Sequence, residues 1–218
     1  MPVPSLTTSI LCEQAAIFAD IESTHPEPTL YGVTDGKAVG TYLEHKFRAY
    51  LEMKYTFVQG KSAAGIDFPD LGVDMKVTAI TQPQSSCPFK SARQKIYGLG
   101  YGLLVFVYAK TDIPEARTAT LNLLHTVYVE AGRTGDYQIT RLIRQTLEND
   151  GNEDDLMAIM GDKNLPLDEI EAKKIAEELL KNKPAQGYLT ISNALQWRLQ
   201  YSRIIEKAGQ VEGIRKLR

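Results

Sequence analysis

The sequence gathers two acids and a lysine around one turn, in residues 65–78. Asp67 and Asp74 stand seven positions apart with a proline and a glycine between them, and Lys76 follows two positions after Asp74. A turn of this composition brings its flanking residues side by side, so the two carboxylates and the ammonium are expected to meet. Paired carboxylates bind hard divalent cations, and a neighbouring lysine offsets charge on a phosphate. The pattern predicts metal-assisted cleavage of a phosphodiester.

The second half of this hairpin, residues 73–78, is expected to be a strand with its chemistry on one side. Side chains alternate along a strand, so Asp74, Lys76 and Thr78 point away from the apolar residues between them. Mg²⁺ is the expected ion because it retains water molecules that can act as nucleophiles, and Mn²⁺ accepts the same ligands. Lys76 would orient or help to deprotonate the attacking water. The alternative is a solvated Asp74–Lys76 pair without chemistry.

The remaining pattern predicts the elements that must position this hairpin. An apolar run over 103–109 indicates a strand at the centre of a sheet. A helix from Lys37, capped by Thr34 or Asp35, carries an apolar stripe and precedes the hairpin. Further helices are predicted over 9–21, 91–99, 138–148, 153–160, 167–182 and 192–207, and further strands over 56–58 and 121–130, with 187–191 a strand or an extended segment.

Together these elements predict an α/β fold, with a mixed central sheet flanked by helices and a helical C-terminal half. We assign residues 1–135 to the catalytic core. Residues 136–218 form a mainly helical region for DNA binding or dimerisation, packed on the core as one domain. A length of 218 residues suits this organisation.

Composition narrows the class of protein. The net charge of −2 argues against a protein that simply coats nucleic acid. Residues 148–178 contain eleven acids and three bases, whereas bases outnumber acids after Lys183. A basic surface can therefore coexist with a net charge of −2. Two cysteines without metal-type spacing favour a reducing cytoplasm, and no apolar run is long enough for a membrane span. We expect a cytoplasmic protein with no membrane contact and no nucleotide cofactor.

Two segments resemble the PD-(D/E)XK nucleases. They are the helical run Gly36-Lys-Ala-Val-Gly-Thr-Tyr-Leu-Glu44 and the hairpin Asp67-Phe-Pro-Asp-Leu-Gly-Val-Asp-Met-Lys76. The likeness is strongest to the branch that holds the mismatch-repair nicking enzyme MutH and related type II restriction endonucleases. It covers about a fifth of the chain, roughly residues 36 to 78.

This resemblance implies a restriction-endonuclease-like core and a role for each motif residue. Asp67 and Asp74 would ligate the metal together with the backbone carbonyl of Met75, and Lys76 would be the catalytic lysine. Glu44 would be the helix acid that holds the metal or a water through a second contact. Asp74 stands where the family more often has glutamate.

Two of these assignments have alternatives. Asp70 competes with Asp67 for the first metal position because Asp70 directly follows a proline, but its place suits a turn better than a strand. Glu44 has Arg48 four positions later on the same helix face, and a surface ion pair would explain both residues. We favour Asp67, and we favour a functional Glu44 because its neighbours point that face toward the core.

Candidate DNA contacts lie in two later segments. Arg93, Gln94 and Lys95 follow the catalytic strand and are predicted to contact phosphate, with a solvated helix face as the alternative. On the predicted helix over 192–207, glutamine and arginine have the side chains that recognise adenine and guanine edges. The candidates on that helix are Gln196, Arg198 and Arg203.

The charged residues of the hairpin, together with what the resemblance implies, predict a Mg²⁺-dependent, sequence-specific endonuclease of the type II restriction class that acts on double-stranded DNA as a homodimer. Two other functions stay open: a nicking or repair endonuclease similar to MutH, and a DNA-binding module that does not cleave. The paired acids and the lysine argue against the last.

Overall fold

The computed structural model describes residues 3–60, 65–87, 90–192 and 197–218. Two sheets and seven helices account for most of these residues. In chain order the helices are α1 (Thr8–Ser23), α2 (Gly36–Glu52), α3 (Arg93–Tyr97), α4 (Tyr137–Glu148), α5 (Glu153–Asp162), α6 (Glu169–Lys181) and α7 (Ser202–Lys207). The strands are β1 (Val73–Ala79), β2 (Gln84–Cys87), β3 (Gly102–Ile113), β4 (Thr118–Val129), β5 (Thr190–Ile191), β6 (Trp197–Gln200) and β7 (Ile214–Lys216).

The central sheet has the strand order β1-β3-β4-β7. Strand β1 runs parallel to β3, and the other neighbours are antiparallel, so the sheet is mixed as predicted. The apolar first half of β3 is buried on both faces, which confirms the predicted central strand. Strand β1 lies at the edge of the sheet, so one side of its backbone is free to build a site.

Helices α1 and α2 cover one face of the central sheet. The side chain of Asp35 caps α2 by accepting a hydrogen bond from the backbone N–H of Lys37, which decides between the two predicted caps. The apolar stripe of α2 is buried, and Phe47 packs between Phe18 and Phe106 with ring centroids 5.0 and 5.3 Å apart. This packing fixes the helix that carries Glu44 against the sheet.

A second, antiparallel sheet with the order β2-β6-β5 lies against the other face. The single helix predicted over 192–207 is therefore wrong, since Trp197–Gln200 is strand β6 and only Ser202–Lys207 is helical. Residues 197–200 alternate between buried and exposed, the two-residue period of a strand, and pairing with β2 stabilises that conformation. The predicted strand over 56–58 is also wrong, because Thr56 makes only a one-residue bridge to Ser5.

Helices α3 to α6 pack together in a third apolar cluster. The helices predicted over 138–148, 153–160 and 167–182 are confirmed, and the one predicted over 91–99 is shorter. The last strand, β7, returns to pair with β4 in the central sheet, so the C-terminal residues contribute to both sheets as well as to the helices. Among the described residues, no helix is both long and apolar enough to cross a membrane.

We predict that Phe47→Ala lowers the free energy of unfolding by about 3–5 kcal/mol, because it leaves a cavity between α1, α2 and the sheet. Urea denaturation followed by circular dichroism measures this change. The control is Ile170→Ala on α6, where the side chain is 68% exposed and truncation should change stability by less than about 0.5 kcal/mol. Equal effects of the two substitutions would contradict the assigned packing.

Candidate active site at the edge of the central sheet

A single tight turn places Asp67 beside strand β1. Phe68 and Val73 exchange backbone hydrogen bonds of 2.9 and 3.2 Å across one turn of 3₁₀ helix, Pro69–Leu71. Gly72 ends that turn with a φ of +59°, a conformation that glycine adopts without strain. The predicted hairpin is thus present, with a one-residue bridge in place of a long first strand.

Asp67 is held by contacts on both of its carboxylate oxygens. Oδ2 accepts a hydrogen bond of 2.8 Å from the backbone N–H of Met75, and Oδ1 forms an ion pair with Arg48. In an extended strand the N–H and C=O of one residue point to the same side. The carbonyl of Met75 therefore faces the free edge of β1 together with Asp67.

Asp74 and Lys76 lie on the opposite side of β1 from its core residues, as the alternation predicted. Lys76 Nζ is 2.7 Å from Asp74 Oδ2, and Asp74 is only 3% exposed. Burial raises the pKa of Asp74 to about 7; Lys76 opposes that rise, and the Asp67 carboxylate adds to it through a hydrogen bond. Burial alone would lower the pKa of Lys76, but the three surrounding carboxylates outweigh it and raise that pKa.

Helix α2 contributes two more charged side chains, Glu44 and Arg48, one turn apart. The pKa of Glu44 is raised by burial and by the charge of Asp67, which Lys76 and Arg48 partly offset. The i,i+4 ion pair considered as the alternative for Glu44 does not form, because Arg48 binds Asp67. These groups line a cavity of about 230 Å³. Its lining includes Glu44, Arg48, Asp67, Asp74, Met75 and Lys76.

The structure brings together the five residues that the resemblance selected and leaves Asp70 outside. Asp70 is exposed and borders a different cavity, near Leu6 and Val58, so the placement favours Asp67 as the acid of the site. Sequence reasoning missed the part played by Arg48. Its position one helical turn after Glu44, on a face directed at the hairpin, was the available signal.

The three side chains of α3 that were predicted to contact phosphate bind other parts of the protein instead. Arg93 forms an ion pair with Glu178, and Gln94 Nε2 donates a hydrogen bond of 3.2 Å to the carbonyl of Leu99. Lys95 is 1% exposed and donates to the carbonyl of Ile191, which speaks against its contact with DNA.

The three DNA contacts predicted on the final helix have different surroundings. Arg198 is exposed on β6, whereas Arg203 lies in α7, with its guanidinium 3.7 Å from the centroid of the Tyr137 ring. Gln196 lies outside the described residues. The structure therefore separates residues that a single helix was expected to present together.

The oxygen groups at this edge suit a divalent cation with a partly aqueous shell. Mg²⁺ uses one or two carboxylates and keeps several waters, and Asp67, Asp74 and the Met75 carbonyl are of that kind. As they stand, no three His, Cys, Asp or Glu side chains in the described ranges are arranged to hold a metal ion. The oxygen atoms of Asp67, Asp74 and Met75 therefore fit a cation that keeps part of its water shell, and Glu44 lines the same cavity.

Comparison with known proteins agrees with this chemistry. The family model described as type II restriction enzyme NspV matches residues 5–216. A curated protein described as type II restriction enzyme NspV, from Nostoc sp. (strain ATCC 29411 / PCC 7524), is 68% identical over 209 residues. The match covers 96% of this chain and 95% of that protein. No solved structure matches the chain.

These matches identify the protein as a site-specific deoxyribonuclease of the type II restriction class. The cluster of acids and a lysine on an α/β scaffold agrees with that class. Within that class, the chain belongs to the NspV family of type II restriction enzymes.

We predict that Arg48→Met lowers the rate of DNA cleavage about 10- to 100-fold, the usual cost of losing a residue that orients a ligand. Without the guanidinium, Asp67 keeps its hydrogen bond from Met75 but is held less firmly beside Asp74. Initial rates on plasmid DNA measure the effect, and Arg48→Lys should recover part of it. Lys37→Met, at the exposed start of the same helix, is the control and should cut normally. Normal cleavage by Arg48→Met would exclude a positioning role for Arg48.

Proposed function

We propose that this enzyme hydrolyses phosphodiester bonds of double-stranded DNA at a Mg²⁺-dependent site of the PD-(D/E)XK type. The observation that carries the proposal is the contact between the Asp67 and Asp74 carboxylates at the edge of β1, with Lys76 2.7 Å from Asp74. Two adjacent acids repel each other, so a structure that holds them together is suited to binding a cation.

Each residue of the site has a definite part in this proposal. Asp67, Asp74 and the carbonyl of Met75 would hold Mg²⁺, which neutralises charge on the phosphate and lowers the pKa of coordinated water. Lys76 orients the attacking water and stabilises the charge that develops on the phosphate oxygens. Glu44 holds a further water, and Arg48 keeps Asp67 in place. Water adds to phosphorus as the bond to the leaving sugar oxygen breaks, and a proton passes to that oxygen.

The scaffold supports the same proposal. A mixed sheet with Asp74 on its edge strand, Asp67 beside that strand and α2 packed against the sheet agrees with a restriction-endonuclease-like core. Mn²⁺ is expected to replace Mg²⁺ because both prefer carboxylate, carbonyl and water ligands. We further propose that the enzyme works in the cytoplasm, where Cys12 and Cys87 remain thiols.

Cutting both strands symmetrically calls for a homodimer, since a two-fold axis presents one site to each strand. We assign residues 136–218 to dimerisation or DNA binding in that assembly. Sedimentation of the enzyme with and without DNA would measure its oligomeric state.

Plasmid cleavage tests the function directly. We predict that the purified protein with Mg²⁺ converts supercoiled plasmid into a fixed set of linear fragments, and that a chelator abolishes the conversion. Mn²⁺ should restore cleavage after the chelator is removed. Nicked circles alone would support instead a nicking enzyme similar to MutH. Fragments formed in the presence of the chelator would disprove the metal requirement.

Matched substitutions in the turn test the site assignment. We predict that Asp67→Asn lowers the cleavage rate by more than about 100-fold, because a metal ligand matters more than the groups that merely orient it. Asp70→Asn, three positions away and exposed, should cleave like the unmodified enzyme. Lys76→Ala should cost about 100- to 1,000-fold, as expected for losing one charge-stabilising group. Greater loss in Asp70→Asn than in Asp67→Asn would reverse the assignment.

A further inference from the structure

The outer side of the small sheet β2-β6-β5 carries two rows of polar side chains. In the first row, Gln200 lies between Gln84 on β2 and Thr190 on β5. In the second row, Arg198 lies opposite Ser86. We call these five side chains the polar sheet face. The alternate residues Cys87, Trp197, Leu199 and Ile191 are buried against the central sheet.

Three side chains of the polar sheet face have hydrogen-bonding groups without a partner in the described parts of the chain. Within the described parts of the chain, the side chains of Gln84, Arg198 and Gln200 make no hydrogen bond or ion pair, and Arg198 and Gln200 are exposed. The strands β2, β5 and β6 contain no acid, so no negative charge on them opposes an approaching polyanion. These side chains are free to bind a ligand.

The polar sheet face is tied to the catalytic strand by direct hydrogen bonds. Thr78 lies on β1, about 7 Å along the strand from Lys76. Its Oγ1 accepts a hydrogen bond from the backbone N–H of Gln84, and its single proton lies within reach of the carbonyls of Gln82 and Gln84, with all three distances 3.1 Å. Between the two rows, Ser85 points to the inner side of β2 and binds the hydroxyl of the buried Tyr201. The bonds of Thr78 therefore place the start of β2 beside the strand that carries Lys76.

Shape and chemistry both suit base edges in the major groove. That groove admits a two-stranded β-ribbon, and β2 with β6 is such a ribbon, flanked by the two-residue β5. The two rows are about 7 Å apart along the strands, which corresponds to about two base-pair steps of 3.4 Å. Arginine pairs bidentately with guanine, and glutamine pairs with adenine.

We propose that the polar sheet face reads the target sequence in the major groove of double-stranded DNA, with Arg198 on a guanine and Gln200 or Gln84 on an adenine. The inference rests on the proposed action on duplex DNA and adds the surface that chooses the site. Because Thr78 of β1 binds the backbone of Gln84, the surface that reads the sequence is connected directly to the strand that carries Lys76.

Selection of bound duplexes tests this proposal without any need for cleavage. The purified enzyme and its variants are each incubated with a pool of duplexes that contain a randomised stretch, once with Ca²⁺ and once with a chelator. We expect the unmodified enzyme to enrich one sequence. Arg198→Ala should lose preference at one G·C pair by roughly 10- to 100-fold while keeping the other positions, and Gln200→Ala should do the same at an A·T pair.

The matched control is Arg215→Ala, which removes the same residue type from an exposed strand of the central sheet, β7, and should leave the enriched sequence unchanged. Thermal midpoints of all variants verify folding, and Arg198→Lys, which keeps the charge but not the planar fork, should also lose the G·C preference. Equal weakening on every duplex would show a phosphate contact and overturn the proposal. An unchanged preference in Arg198→Ala, or no preference in the unmodified enzyme, would overturn it as well.

The same experiment separates this inference from the proposed catalytic function. If the unmodified enzyme selects a sequence but fails to cut it with Mg²⁺, the metal-dependent mechanism is wrong and the polar sheet face is still assessed by the variants. If it cuts that sequence while Arg198→Ala keeps the full preference, the mechanism stands and the recognition surface lies elsewhere.

Discussion

The structure depends on one constraint: two carboxylates, Asp67 and Asp74, must stay together where water is largely excluded. Their repulsion and the loss of hydration both oppose the arrangement, as the raised pKa of Asp74 shows. Arg48 from α2 and Lys76 from β1 supply the opposing charges. Buried charges of this kind contribute little to the stability of a fold, so stability alone does not explain why these residues are held together.

The scaffold meets that constraint through the position of β1. An edge strand leaves the backbone of Met75 free to hold Asp67, which a strand paired on both sides could not do. Parallel pairing over its whole length with the buried β3 holds this edge strand in the sheet, and the Phe18–Phe47–Phe106 contacts hold α2 against the same sheet. Each charged group thus comes from an element anchored in the apolar core.

The sequence predicted this part of the molecule because its turn, strand and helix each depend on residues that lie close together in the chain. The turn at Pro69–Leu71, the alternation along β1 and the apolar stripe of α2 can each be recognised within a few residues. Strand β6 was missed because its conformation depends on β2, which lies more than a hundred residues earlier. The prediction that Lys95 contacts phosphate failed for a similar reason. Lys95 is buried, and it donates a hydrogen bond to Ile191, which is distant in the sequence. Sequence alone cannot supply such pairings.

Residues 192–207 were wrongly predicted to form one helix, and this difference changes which of their side chains can contact a common ligand. On a helix, Arg198 and Gln200 would point about 200° apart, given 3.6 residues per turn, and could not face one duplex together. On β6 they lie on the same side, and each faces a polar residue of β2 across the pairing. The strand therefore brings together two polar side chains that a helix would have directed apart. Its partner strand β2 in turn contacts Thr78, which lies two residues after Lys76 on β1.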